Sequence, residues 1–117
     1  MSNKAELGTK GEQIAGDYLM SKGYDIIRTN YRYKHAEIDL IAKLNGLLIF
    51  VEVKTRTNLN FGYPEDFVDD KKANKVMEGA EQYTYENNWD GDIRFDVVAI
   101  TIKNGEPDIS HFEDSFG

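Results

Sequence analysis

The sequence predicts an α/β domain in which helices flank a mixed β-sheet, with elements in the order αβββαββ. Three observations indicate this fold class. Two segments repeat apolar residues with helical spacing. Five shorter segments are rich in Ile, Leu, Phe, Val and Tyr, as strands are. The pairs Asn45-Gly46 and Asn104-Gly105 mark tight hairpin turns, because both turn positions need positive φ.

The two helices are predicted at Ala5 to Ser21 and at Asp70 to Glu86. Gly23 stops the first helix, and Asp69 is placed to cap the second. The apolar stripes that predict them are Gly11, Ile14, Ala15, Tyr18 and Leu19 in the first helix, and Ala73, Val76, Met77, Ala80 and either Tyr83 or Thr84 in the second.

The strands are predicted at Tyr24 to Tyr31, Ala36 to Lys43, Leu47 to Arg56, Ile93 to Ile102 and Asp108 to Phe112. The third is apolar enough to be a central strand that is covered on both faces. A loop is predicted at 57–68.

The chain of 117 residues suits a single domain over 1–117. It has no cysteine, which excludes disulfides and thiolate metal sites and favours a reducing compartment. The polar N-terminus predicts no signal peptide, and the longest apolar run, Leu47 to Val51, is far shorter than the ~20 residues of a membrane span. We therefore expect a cytoplasmic protein without a membrane partner. The sequence leaves the oligomeric state open, with a dimer as one option.

The net charge of −7 is unevenly distributed. Residues 1–75 carry 12 Lys/Arg and 11 Asp/Glu, a net of +1, whereas residues 76–117 carry 2 and 10, a net of −8. The acidic surplus thus belongs to the C-terminal third. No basic stripe is visible, so tight non-specific binding to DNA is not predicted.

The hairpin around Asn45-Gly46 carries the main candidate site. Pairing outward from the turn sets Asp39 opposite Glu52 and Glu37 opposite Lys54. This register predicts one face with Glu37, Asp39, Ile41, Phe50, Glu52 and Lys54, and a wholly apolar face with Ile38, Leu40, Ala42, Ile49, Val51 and Val53.

Opposed residues on a sheet have Cβ atoms only ~4.5–5.5 Å apart, so two carboxylates there repel each other unless a cation lies between them. Mg²⁺ binds one or two carboxylates and keeps several waters. The alternative is a solvated, salt-bridged face, but such a face would pair Asp39 with a base. The pattern therefore predicts a divalent-metal site at Asp39 and Glu52, with Lys54 able to reach a metal-bound water or a phosphate.

Other polar residues are less specific. His35 and His111 are predicted to be isolated, so no histidine-based metal cluster or catalytic dyad is expected. Lys71, Lys72 and Lys75 either contact a phosphate backbone or form a solvated face beside Asp69 and Asp70. Arg94 and Asp96 are predicted to form a local ion pair. Two interpretations are open for Gln82 and Tyr83. Either both side chains point toward the site, or Gln82 is a surface amide and Tyr83 a core aromatic.

Several segments together resemble a known family. They are Gly11-Glu12, Ala15 with Tyr18-Leu19, Ala36 to Ile41, Phe50 to Arg56, and Arg94 to Val98. Over nearly the whole chain they are similar to the bacterial YraN-type proteins, the uncharacterised protein family 0102. That family is similar to the PD-(D/E)xK nuclease superfamily, which includes Holliday-junction resolvases and restriction endonucleases. The resemblance implies a restriction-endonuclease-like αβββαβ core.

The resemblance also implies roles for single residues. Asp39 and Glu52 would be metal ligands, and the carbonyl of Val53 a further one. Lys54 would orient or deprotonate the attacking water, and Glu12 would match a helix glutamate that contributes to the metal site. The chain departs from the pattern at Ala36, where the family usually has Gly, and at Ile38, where the superfamily has Pro. Neither departure removes a ligand.

Two functions are therefore expected in competition. The first is a Mg²⁺- or Mn²⁺-dependent endonuclease that hydrolyses nucleic acid, with branched or structured DNA among the candidate substrates. The second is a catalytically weak or inactive nuclease-fold protein, which binds DNA structures or a protein partner.

Overall fold

A computed structural model describes residues 4–57 and 69–116, and it has the predicted element order. The helices are α1 (Lys4–Ser21) and α2 (Asp70–Glu86). The strands are β1 (Asp25–Tyr33), β2 (Ala36–Leu44), β3 (Leu47–Arg56), β4 (Asp92–Lys103) and β5 (Glu106–Phe112). The chain is thus an α/β protein with a restriction-endonuclease-like αβββαβ core. Most of the predicted loop at 57–68 lies outside the described residues.

The five strands form one sheet in the order β1-β2-β3-β4-β5. Neighbours are antiparallel except β3 and β4, which are parallel and joined through α2. The turn prediction is confirmed, since Asn45 and Gly46 have φ values of 50° and 81°. The cap prediction is also confirmed, because the Asp69 carboxylate accepts a hydrogen bond from the Lys72 amide.

Two apolar clusters hold the helices on opposite faces of the sheet. Ala15 and Leu19 of α1 pack on one face, and Val76, Ala80 and Tyr83 of α2 pack on the other. The α1 cluster includes Leu40, Ala42, Ile49, Val51, Val98 and Ile100. The α2 cluster includes Tyr31, Ile38, Ile41, Leu48, Phe50 and Phe95. No helix of the described part is long and apolar enough to cross a bilayer.

The predicted alternation along β2 is wrong at Ile38. Ile38 belongs to the α2 cluster together with Ile41, whereas Leu40 and Ala42 belong to the α1 cluster. The period of two is therefore broken between Ile38 and Ile41, at Asp39. The neighbouring strand β1 is irregular at the same level. Thr29 pairs with Leu40 and Tyr31 with Ile38, and Asn30 between them has a φ of 50°. The sheet is thus irregular where the candidate site begins.

Candidate metal centre

The candidate site lies where β2 and β3 separate. Their antiparallel ladder runs from Leu44–Leu47 to Leu40–Val51 and ends there. The Val53 amide instead donates a hydrogen bond to Oδ2 of Asp39, at 2.8 Å. The predicted ladder pairs Asp39–Glu52 and Glu37–Lys54 are therefore not formed, because a side chain has replaced the backbone partner at this point.

Glu37 interacts with β1 and not with β3. It pairs with Arg32 of β1, and its carboxylate lies 3.3 Å from the Arg32 guanidinium on the surface. Glu37 thus has a basic partner of its own and does not line the cavity described below.

Asp39 is held in a place that disfavours its ionised form. Burial, followed by the negative charge of Glu52, raises the pKa of the Asp39 carboxyl to about 7. The hydrogen bond from Val53 acts in the opposite direction but is weaker than these effects. A carboxylate that repels its neighbour in this way gains from a cation between them.

Glu52 is the most buried acid of the site, with 5% of its side chain exposed. Its Oε1 lies 3.5 Å from the Lys54 ammonium and 3.4 Å from that of Lys72. Its Oε2 is buried and has no hydrogen-bond partner among the described residues. Because buried polar atoms are nearly always paired, this oxygen indicates a partner that residues 4–57 and 69–116 do not supply.

Glu12 comes to the same place from α1. Burial raises the pKa of its carboxyl, a hydrogen bond with the Asn30 side chain lowers it, and the charges of Glu37 and Glu52 raise it again. The resemblance to a known family was the only signal for this residue, since a polar position beside an apolar helix stripe is usually a boundary position.

One cavity collects all the predicted site residues. Its volume is about 670 Å³, and its lining includes Glu12, Asp39, Glu52, Val53, Lys54 and Arg56. Among residues 4–57 and 69–116, no three Asp, Glu or His side chains stand together as a ready-made metal cage. The Asp39 and Glu52 carboxylates are oxygen donors of the kind that a hard divalent cation takes together with several waters.

The distance between α1 and the site depends on Gly11. A Cβ added at Gly11 would overlap the Thr55 side chain on β3, and rotation of that side chain would not relieve the overlap, because the Thr55 Cβ itself would lie at 2.9 Å. The absence of a side chain at Gly11 thus lets α1 approach β3 and brings Glu12 to the cavity.

We expect Gly11→Ala to destabilise the protein by about 1–3 kcal/mol, because the added methyl overpacks this contact. The matched control is Gly16→Ala in the same helix, where an added Cβ meets no heavy atom within 4 Å. That change should stabilise the protein by about 0.4–1 kcal/mol. Urea denaturation of both variants measures the difference, and equal effects at the two glycines would contradict the close approach.

A second polar cluster was only partly predicted. The predicted ion pair of Arg94 and Asp96 is confirmed at 2.8 Å. The prediction that His111 is isolated is wrong, since its Nε2 lies 2.7 Å from Oδ2 of Asp96. Arg94 also donates to the Tyr24 hydroxyl at 2.9 Å. These residues tie the residue just before β1 to β4 and β5, and they are not part of the cavity lining.

Two further candidates lie elsewhere. Gln82 donates to Glu86 at 2.8 Å, and Tyr83 packs against Tyr31 and Phe50 in the α2 cluster. Gln82 is therefore a surface amide and Tyr83 a core aromatic, and neither is directed at the candidate site.

Comparison with known proteins adds a family. The model of the "Uncharacterised protein family UPF0102" matches residues 11–100. A UPF0102 protein of Flavobacterium psychrophilum is 40% identical, with 99% of this chain and 98% of the relative covered. A UPF0102 protein of Clostridioides difficile is 45% identical over 99% of this chain and its own entire length. The matched segment contains Glu12, Asp39, Glu52 and Lys54, and the chain belongs to the uncharacterised protein family UPF0102.

Proposed function

We propose that this protein is a metal-dependent nuclease of the PD-(D/E)xK type, which hydrolyses phosphodiester bonds of nucleic acid with Mg²⁺ or Mn²⁺. The observation that carries the proposal is the buried Oε2 of Glu52, which has no described partner and lies in one cavity with Asp39. The order of the acidic and basic residues along β2 and β3, which resembles that superfamily, supports the same conclusion.

A divalent cation at this site would act as a Lewis acid toward a phosphate oxygen and would lower the pKa of a nearby water. The overall hydrolysis joins the oxygen of one water to phosphorus and breaks one P–O ester bond. One proton of the water ends on the leaving sugar oxygen, and the other passes to solvent at neutral pH.

The chain's own groups have separate tasks. Asp39 and Glu52 would hold the cation, and the Val53 carbonyl would be a further ligand. The hydrogen bond from the Val53 amide fixes the orientation of the Asp39 carboxylate. Lys54 has only 16% of its side chain exposed and already lies beside Glu52, so its ammonium is placed to orient the attacking water. Glu12 adds a third carboxylate to the lining of the cavity.

The test is cleavage. Linear, single-stranded and branched DNA are each incubated with Mn²⁺ and wild type, Glu52→Ala or Glu106→Gln, the last being an exposed carboxylate on β5. We expect cutting by wild type and Glu106→Gln, loss of cutting with EDTA, and no cutting by Glu52→Ala. Cutting that persists in Glu52→Ala, or that needs no metal, would show that another site or a contaminant is responsible.

A different result would favour the second function. If wild type binds one of these DNAs in the presence of Mn²⁺ but leaves it intact, the protein is a nuclease-fold binding protein. Without binding or cutting, a protein partner would be the remaining choice from the two functions that the sequence predicts.

A further inference from the structure

Three lysines begin α2, and the structure separates them. Lys72 lies 3.4 Å from the buried Glu52 carboxylate, although 37% of its side chain is exposed. Lys71 is exposed, and neither it nor Lys75 forms an ion pair with any residue in 4–57 or 69–116. The solvated-face interpretation therefore fails for Lys72, whose ammonium enters the candidate site and is not paired with Asp69 or Asp70.

Glu52 does not need Lys72 as a partner for its charge. The Lys54 ammonium already lies 3.5 Å from the same oxygen, Oε1, while Oε2 has no described partner at all. Within the described part of the chain, two cations therefore share one oxygen while the second oxygen has no partner. Such an arrangement suits a site in which one of the two ammonium groups has another anion to bind.

The charges around the cavity favour an anionic ligand once a cation is bound. With Glu12, Asp39 and Glu52 ionised, the positive groups of Lys54, Arg56 and Lys72 bring the net charge to zero. A divalent cation would raise it to +2, which would attract the negative charge of a phosphodiester group. Without Lys72 the metal-loaded site would carry +1 and would attract the phosphate less strongly.

The position of Lys72 on its helix adds to this. Its backbone amide donates to the Asp69 cap at 2.8 Å, which fixes the start of α2 beside the site. The N-terminal end of a helix carries partial positive charge and favours anions. The exposed third of the Lys72 side chain leaves its ammonium free to move from Glu52 to a ligand at the mouth of the cavity.

We propose that Lys72 is a phosphate-binding residue of this site, which neutralises Glu52 in the metal-free protein and contacts a backbone phosphate of the nucleic acid once a cation occupies Glu52. The inference rests on the proposed function, because it needs both the cation and a phosphodiester ligand. It assigns to α2 a contact with the substrate, in addition to those of β2 and β3.

The test uses the fluorescently labelled DNA that wild type binds best, with Ca²⁺ as a hard oxygen-binding cation in place of Mn²⁺. Lys72→Ala should weaken binding about tenfold, the size of one charged hydrogen bond. The plot of log affinity against log salt should lose about one unit of slope, as for one phosphate contact. Lys72→Arg should keep most of the affinity, and the control Lys71→Ala should behave as wild type. Lys72→Gln serves if the alanine variant does not fold.

Thermal stabilisation by Mn²⁺ separates the possible failures. Lys72→Ala should still be stabilised, because its removal vacates Glu52 for the cation. If Mn²⁺ stabilises all variants and Lys72→Ala binds DNA with the affinity and salt slope of wild type, the inference is wrong and the metal site stands. If Mn²⁺ does not stabilise wild type, the proposed function is wrong and the inference falls with it.

Discussion

In the absence of metal, Asp39→Asn should raise the free energy of unfolding at pH 8 by about 3–4 kcal/mol. The reason is that the pKa of Asp39 is raised from 3.8 to about 7 in the folded protein. Ionisation of Asp39 therefore costs free energy in the folded state but not in the unfolded state. Asparagine keeps an oxygen that can accept the hydrogen bond from the Val53 amide, and it removes the charge next to Glu52.

The stability difference between wild type and Asp39→Asn should depend on pH. A group with a raised pKa in the folded state contributes stability below its unfolded pKa and loses it as the pH rises through the folded pKa. Wild type should therefore lose stability relative to Asp39→Asn between about pH 4 and pH 7. Urea denaturation in EDTA at pH 5, 6, 7 and 8 measures the difference, which should grow with pH. A constant difference would contradict the raised pKa.

The same substitution should remove the response to metal. At a Mn²⁺ concentration 100 times the dissociation constant, wild type should gain about 2.7 kcal/mol, and Asp39→Asn much less. In wild type the apparent affinity for Mn²⁺ should rise up to about pH 7, because the ligand must lose its proton first. Asp17→Asn, an exposed change on α1, is the control and should respond as wild type. Equal stabilisation of Asp39→Asn would show that Asp39 is not a ligand.

Asp96→Ala should cost about 3–5 kcal/mol, since it leaves buried positive and polar groups without a partner. Asp96 has no exposed surface and accepts hydrogen bonds from Arg94, the Asp114 amide and, at 2.7 Å, the His111 ring. Glu113→Ala is the control, because Glu113 contacts the same arginine at 3.6 Å but 58% of its side chain is exposed. That change should stay within about 0.5 kcal/mol.

The acid stability of the protein should follow the same cluster. Burial alone would raise the pKa of Asp96, but the hydrogen bonds from His111, Arg94 and Asp114 together lower it. A lowered pKa contributes stability above the unfolded value, which is lost as the pH falls through the folded value. Guanidinium denaturation at pH 7 and pH 3 should show a smaller cost of Asp96→Ala at pH 3. A cost of less than 1 kcal/mol at pH 7 would show that solvent replaces these contacts.

The fold was predictable because its signals are local. The Asn45-Gly46 turn sets the register of β2 and β3 up to Leu40–Val51, as the sequence predicts. The bounds of β3 and α2 are the predicted ones, and the other elements differ by up to two residues at their ends. Apolar periodicity is sufficient where backbone hydrogen bonds continue regularly.

The geometry of the site was less predictable, because the ladder ends there. Simple alternation does not anticipate that the Asp39 carboxylate replaces a backbone acceptor, or that Ile38 turns to the α2 face. Nor does spacing distinguish Lys72 from Lys71, which differ only in their direction relative to β3. The contact of His111 with Asp96 joins positions 15 residues apart on separate strands, and neither residue carries a mark of it in the sequence.

The two polar clusters also differ in how far apart their parts are along the chain. Asp39 and Val53 are separated by 14 residues, within one hairpin, whereas Tyr24 and Arg94 are separated by 70. Contacts between near neighbours in the chain form quickly, and those that close long loops form late. We therefore expect the contact between Asp39 and Val53 to form before α2 and β4 add to the sheet, helped by Lys54, which lies in the same hairpin 3.5 Å from Glu52. The contact between Tyr24 and Arg94 closes a much longer loop and should form later.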